Sequence, residues 1–275
     1  MRKNASRKKK HLAGKIAGAV FLFLIVLAAV PLTRSILFMS VYSRICASGS
    51  VIQDVGLDIQ IPSGEGWYPF VMTFQDDEGF SRYTGENCRL AIMYNFPSFT
   101  SPVGHTLGYE ADSPYYSSFY GCYVVQQEEE AYGWNDDGSL NAEDVADIAR
   151  FDFFLLVLSD FGLQKEDRVF EWTTTSIEEH VSYAGSDDWI CADAELSVNG
   201  MAHTYEHFTA SYVQYGTPGT AEQDFEVVTL YGRIYGKYYE EENVSVFFYI
   251  ITADTALLEE TDMEILSQST LRVSS

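Results

Sequence analysis

The chain has 275 residues, with 17 Lys+Arg against 40 Asp+Glu and a formal net charge of −23. At 47% hydrophobic and 15% aromatic residues it is too apolar to be a disordered chain. Its length is enough to bury a core of its own, and its excess of carboxylates repels phosphate, so no nucleic-acid partner is expected.

The charge is divided unevenly. Residues 1–44 hold nine basic residues and no acid, whereas residues 45–275 hold eight basic residues and all 40 acids, a balance of −32. Residues 1–15 read as a basic cytoplasmic tail. Residues 16–34 read as a transmembrane helix, of which 16–32 carry no charge. Those positions reach about 25 Å as a helix, near the lower limit for a bilayer core of about 30 Å. The preceding lysines place the N-terminus in the cytoplasm by the positive-inside rule, and the bulk of the chain outside it. A cleaved secretory signal is the competing reading, but Ala28-Ala29-Val30-Pro31 makes a poor cleavage site. A lipoprotein is rejected, because Cys46 follows Arg44-Ile45 and not a small residue. Residues 35–51 read as a stalk that lifts the domain off the bilayer.

Residues 52–275 read as one acidic extracytoplasmic domain. Leu57–Ile61 alternates as a half-buried strand and ends in the Pro62-Ser63-Gly64 turn. Strands follow at 70–74 and 89–96, with Asp76-Asp77-Glu78-Gly79 read as a turn between them. Residues 97–117 contain three prolines and two glycines and read as a long, aromatic-rich loop, which in a compact domain is usually functional. A strand is predicted at 119–126 and a short one over Ala131–Trp134. Asn141 then caps a helix whose apolar face is Val145, Ile148 and Ala149. The run from Phe151 to Leu163 is read as helix closed by Gly162.

Farther on, Ile190, Ala192, Ala194, Leu196 and Val198 alternate along one strand face, and Asn199-Gly200 is read as a hairpin turn. Strands are predicted at 208–215, 227–239 and 244–252, the last two joined by Glu240-Glu241-Glu242-Asn243. Asp254 caps a final helix bearing Leu257, Leu258, Thr261 and Ile265. This order of elements predicts an α+β fold. It is a mainly antiparallel sheet with helices packed on one face, preceded by a single N-terminal transmembrane helix.

Chemistry is sparsely marked. Cys46, Cys88, Cys122 and Cys191 are widely spaced, with no metal-binding pattern. Cys88 and Cys122 each begin a strand-like run and are the pair placed to meet across a sheet, with buried free thiols the equal alternative. His203-Thr204-Tyr205-Glu206-His207 matches His-x-x-Glu-His, in which two histidines hold zinc and Glu206 activates its water. On a strand, however, Glu206 points away from both His203 and His207, and nothing marks a third ligand. The pairs Asp76-Asp77, Asp136-Asp137 and Asp187-Asp188 would suit glycoside hydrolysis or calcium, but each is read as a solvated turn.

Rings beside carboxylates can stack and hydrogen-bond a sugar or peptide. Trp67-Tyr68, Tyr109, Tyr115-Tyr116, Trp134 and Trp189 are such rings, and Tyr109, Tyr115, Tyr116 and Trp67 are the chosen binding residues. The expected protein is a single-pass, membrane-anchored domain with a non-enzymatic binding or structural role. It takes a protein or glycan ligand outside the cell and no cofactor. A zinc- or carboxylate-dependent extracytoplasmic hydrolase is the alternative.

Overall fold

The computed structural model describes residues 14–25, 41–62, 65–66, 71–95, 98–100, 105–106, 112–128, 130–154, 165–200 and 226–274. In chain order these form α1 (14–25), α2 (41–48), α3 (Val51–Asp54), β1 (Leu57–Gln60), β2 (Glu65–Gly66), β3 (Met72–Gln75), α4 (Asp77–Thr84) and β4 (Cys88–Asn95). There follow β5 (Ser98–Thr100), β6 (His105–Thr106), β7 (Phe119–Gln127), α5 (Ala142–Asp152), β8 (Phe170–Tyr183) and β9 (Ser186–Asn199). The last elements are β10 (Val227–Tyr239), β11 (Val244–Thr252), α6 (Thr255–Glu264) and β12 (Thr270–Val273).

Seven strands make one sheet in the order β3-β4-β7-β11-β10-β9-β8, and every neighbouring pair is antiparallel. The centre of the sheet follows from the sequence of β11. All nine residues of Val244-Ser-Val-Phe-Phe-Tyr-Ile-Ile-Thr252 are buried. A strand apolar at nearly every position has two faces to hide, so it belongs between two layers.

Both layers are present. On one face Tyr123, Phe247 and Tyr249 pack with Phe80 of α4 and with Val145, Ile148 and Phe151 of α5. On the other, Cys122, Val124, Val246, Phe248 and Ile250 pack with Val51 of α3, Leu57 of β1 and Leu258 of α6. Full burial of each such side chain is worth about 1.5–3 kcal/mol. The fold is α+β with a large antiparallel sheet, as expected, but the helices cover both faces rather than one. The double burial of β11 leaves no solvated face at the centre.

Local chemistry decides several elements differently from the sequence reading. Asp76-Asp77-Glu78-Gly79 is not a turn but the start of α4. The Asp76 side chain accepts from the Gly79 N–H at 2.8 Å, and Gly85 ends the helix at φ 82°. Around Ala131–Trp134 there is no strand, only an isolated bridge between Trp134 and Leu140. Asn141 does cap α5, accepting from the N–H groups of Glu143 and Asp144, and Asp254 caps α6 in the same way. β8 is an edge strand with mostly exposed side chains and an irregular register, so it lacks a readable alternation.

Asn199-Gly200 does not turn the chain. Asn199 pairs with Val227, and the Gly200 N–H donates to the Glu226 carbonyl at 2.9 Å. A Cβ at Gly200 would lie 2.0 Å from the Tyr116 hydroxyl, so the glycine serves close packing. The tight turn is at Ala184-Gly185, between β8 and β9, with φ values of 47° and 84°. Cys88 and Cys122 belong to the cores on opposite faces of the sheet, and all four cysteines are free thiols.

The segment expected as a stalk joins the fold from Ser43 onward. The Thr73 N–H of edge strand β3 donates to the Ser43 hydroxyl at 2.9 Å, and Val51 is fully buried. Gln75 and Arg89 both donate to the Gly49 carbonyl, and Arg89 pairs with Asp54 at 2.7 Å. Among the described residues no helix is long and apolar enough to cross a membrane. Of the apolar segment 16–34, residues 16–25 belong to α1 and the rest lie outside the described residues.

Candidate binding cleft

Four of the eight basic residues of the acidic region gather in one place. Arg82 on α4 and Lys165 and Arg168 beyond α5 line a cleft of about 630 Å³. Tyr83, Phe151 and Phe154 give it an apolar wall, and Asp76, Glu78 and Gly79 complete the lining. Arg150, in ion pair with Asp147, stands beside it, because the Tyr83 hydroxyl donates to that same Asp147 at 3.4 Å. The volume falls within the range of small-ligand pockets, about 300–1,000 Å³.

Local sequence explains the placement. Capping at Asp76 starts α4 so that Phe80 faces the core while Arg82 and Tyr83 lie toward the rim. The Phe80 ring then packs on Phe151 at 5.1 Å and Tyr83 on Phe151 at 5.5 Å, which joins α4 to the end of α5. Phe154 meets Phe170 of β8 edge-on at 6.4 Å, and the Arg150 guanidinium lies 5.4 Å over the same ring.

The two carboxylates of the lining are already engaged. Asp76 holds the α4 N-terminus, and Glu78 pairs with Arg82 at 2.6 Å. Burial pushes the Arg168 guanidinium below its ordinary pKa, with Glu166 acting against the shift, and its Nη1 donates to the Phe154 carbonyl. Burial also raises the Tyr83 phenol, opposed by its hydrogen bond with Arg150. The lining holds three cations against two carboxylates, so it keeps one net positive charge beside an aromatic wall, an arrangement for an anion that also carries an apolar part.

Two other polar groups are structural in form. Arg233 of β10, its side chain 14% exposed, binds Asp193 at 2.7 Å, Glu259 at 2.8 Å and Asp262 at 2.9 Å. Burial works against its charge, and these carboxylates outweigh burial and raise its pKa. Tyr235 donates to Asp262 at 2.6 Å, so the group fastens α6 to β9 and β10. Burial pushes the neighbouring Cys191 thiol up to about 12, which leaves no thiolate for nucleophilic work at neutral pH. Beneath the other face, Asp152 is fully enclosed and accepts from the Tyr123 hydroxyl at 2.9 Å. Burial raises its pKa to about 7, with the Tyr123 hydrogen bond pulling the other way.

Of the residues expected from sequence to form a site, those described do not line this cleft. Tyr116 is 9% exposed and wedged against Gly200, and Tyr115 is half-buried. Trp189 is fully buried, and Trp134 is half-buried with its indole N–H donating to Ser245 at 3.1 Å. Trp67, Tyr68, Tyr109, His203, Glu206 and His207 lie outside the described residues. Among the described residues, no group of three or more His, Cys, Asp or Glu side chains could hold a metal. The acidic pair Asp136-Asp137 is a turn as expected, with Asp137 accepting from the Ser139 N–H at 3.0 Å. The cleft itself had one legible sign: three of the eight basic residues of the acidic region fall within Arg150–Arg168.

No protein-family model matches this chain, and no curated protein matches it.

Proposed function

We propose that the protein is a single-pass membrane-anchored domain, held on the extracytoplasmic side, with a non-enzymatic binding role. The anchor is the segment 16–34, and the Lys-rich residues before it set the orientation. Its support is the acid-free, apolar N-terminus together with α1, whose large apolar side chains are exposed, Phe21 to 66%. The ligand is an anion with an apolar body, and it binds in the α4–α5 cleft. The observation that carries this part is the placement of three of the acidic region's eight cations, Arg82, Lys165 and Arg168, in the lining of one aromatic-walled cleft. In a region of charge −32, such a cluster draws to itself an anion that the remaining surface repels.

The test uses the full chain and a naphthalenesulfonate dye as a stand-in for such a ligand. Dye fluorescence is expected to rise saturably, to weaken with salt, and to be lost in Lys165→Glu and Tyr83→Ala. A change at Met263, exposed on α6, should leave it intact. Equal binding by all three variants refutes the cleft. Orientation is tested with protease added to intact cells: digestion of the acidic domain is expected, and digestion only after lysis overturns the topology.

A further inference from the structure

We infer that the outer face of α2 lies in the bilayer interface and seats the domain directly against the membrane. This rests on the anchor reading above and adds a second, shallow contact to it.

Three observations carry the inference. First, α2 has two unlike sides. Ser43 is buried and binds the backbone of β3, whereas Val41 and Ile45, one helical turn apart, are 58% and 65% exposed. Arg44 lies on the exposed side between them. An apolar ridge carrying one long basic side chain is the pattern of helices that rest at the headgroup level, the cation reaching back to water.

Second, the ridge cannot travel far from the anchor. The uncharged segment ends at Leu32, so eight residues separate it from Val41. Fully extended, they span about 28 Å. Four of them, Ile36-Leu37-Phe38-Met39, are apolar and favour staying near lipid.

Third, the charge of α2 is compatible with a lipid surface. The first carboxylate of the chain is Asp54, so α2 carries no acid and one base, Arg44. The remaining surface, at −32, is repelled by anionic lipid. Of the fourteen large apolar side chains exposed among the described residues, ten lie between Ile16 and Ile45. Seven of these ten belong to α1, and α2 supplies three of the seven that lie outside it, Val41, Tyr42 and Ile45.

The experiment reconstitutes the full chain in vesicles of phosphatidylethanolamine and phosphatidylglycerol containing a lipid with a diazirine near its carbonyl. After photolysis, labelled peptides are mapped by mass spectrometry. Labelling is expected at residues 16–32 and again at 41–45, and the second site is lost in V41N/I45N. Those two side chains are exposed, so the variant should unfold at the same temperature as the parent. Labelling confined to 16–32 overturns the inference and leaves the anchor standing. An absence of label at 16–32 removes the anchor reading itself. Label at 41–45 that survives V41N/I45N also refutes the seat, since contact would then not depend on the ridge.

Discussion

Asp152 offers the most quantitative test of this structure. Its carboxyl is 2% exposed, enclosed by the aromatic core of one sheet face, and held by the Tyr123 hydroxyl. Its pKa rises from an ordinary 3.8 to about 7 through burial. Each tenfold change in proton affinity is worth about 1.4 kcal/mol, so this difference amounts to about 4 kcal/mol. The sign follows from proton counting. Between pH 4 and 7 the native state keeps the proton and the unfolded chain releases it, so stability falls as pH rises through this window and levels off above it.

Asp152→Asn keeps an oxygen for Tyr123 and cannot ionise. The amide N–H groups need acceptors, and leaving them unpaired costs about 1–3 kcal/mol. The variant is therefore expected to be more stable than the parent at pH 8 by about 1–3 kcal/mol, and no more stable at pH 4.5. Urea unfolding of the full chain and the variant from pH 4.5 to 8.5, followed by tryptophan fluorescence, gives the difference directly. Other carboxylates titrate alike in both proteins and cancel. A difference that does not change across this range refutes the buried, proton-holding carboxyl.

Arg233→Ala should cost about 3–5 kcal/mol, because it strands Asp262 beneath α6 without its cation. Hydrogen exchange should then quicken first in α6, and a uniform rise across the sheet would count against the clamp. Gly133→Ala should cost about 2–4 kcal/mol. The residue has φ 84°, and a Cβ there would lie 2.6 Å from Cζ of Phe247, which is fully buried and cannot yield. A thermal midpoint within a degree of the parent would refute this packing.

The strands legible in the sequence were those with an inner face of their own. Ile190, Ala192, Ala194, Leu196 and Val198 lie in one core as their alternation predicts, and β10 and β11 have the bounds expected. The caps Asn141 and Asp254 were legible for a related reason. A side-chain oxygen that satisfies backbone N–H groups two and three residues on is a local event that needs no partner from elsewhere in the chain. Asp76 uses the same chemistry, but its helix buries one side chain, Phe80, and so has almost no apolar period to detect.

The sequence by itself determined the charge division at the N-terminus, the α+β class and the central strands, because these follow from composition and near-neighbour periodicity. Tertiary structure alone decided that both sheet faces are covered, since a doubly buried strand does not state which helix lies on which side. Asn199-Gly200 has the same local chemistry whether it turns or continues a ladder, and only the approach of Glu226 and Tyr116 selects the second. The cleft belongs to this second kind as well. Arg82 and Lys165 stand 83 positions apart in the chain, and only the packing of Phe80 and Tyr83 on Phe151 brings them to one wall.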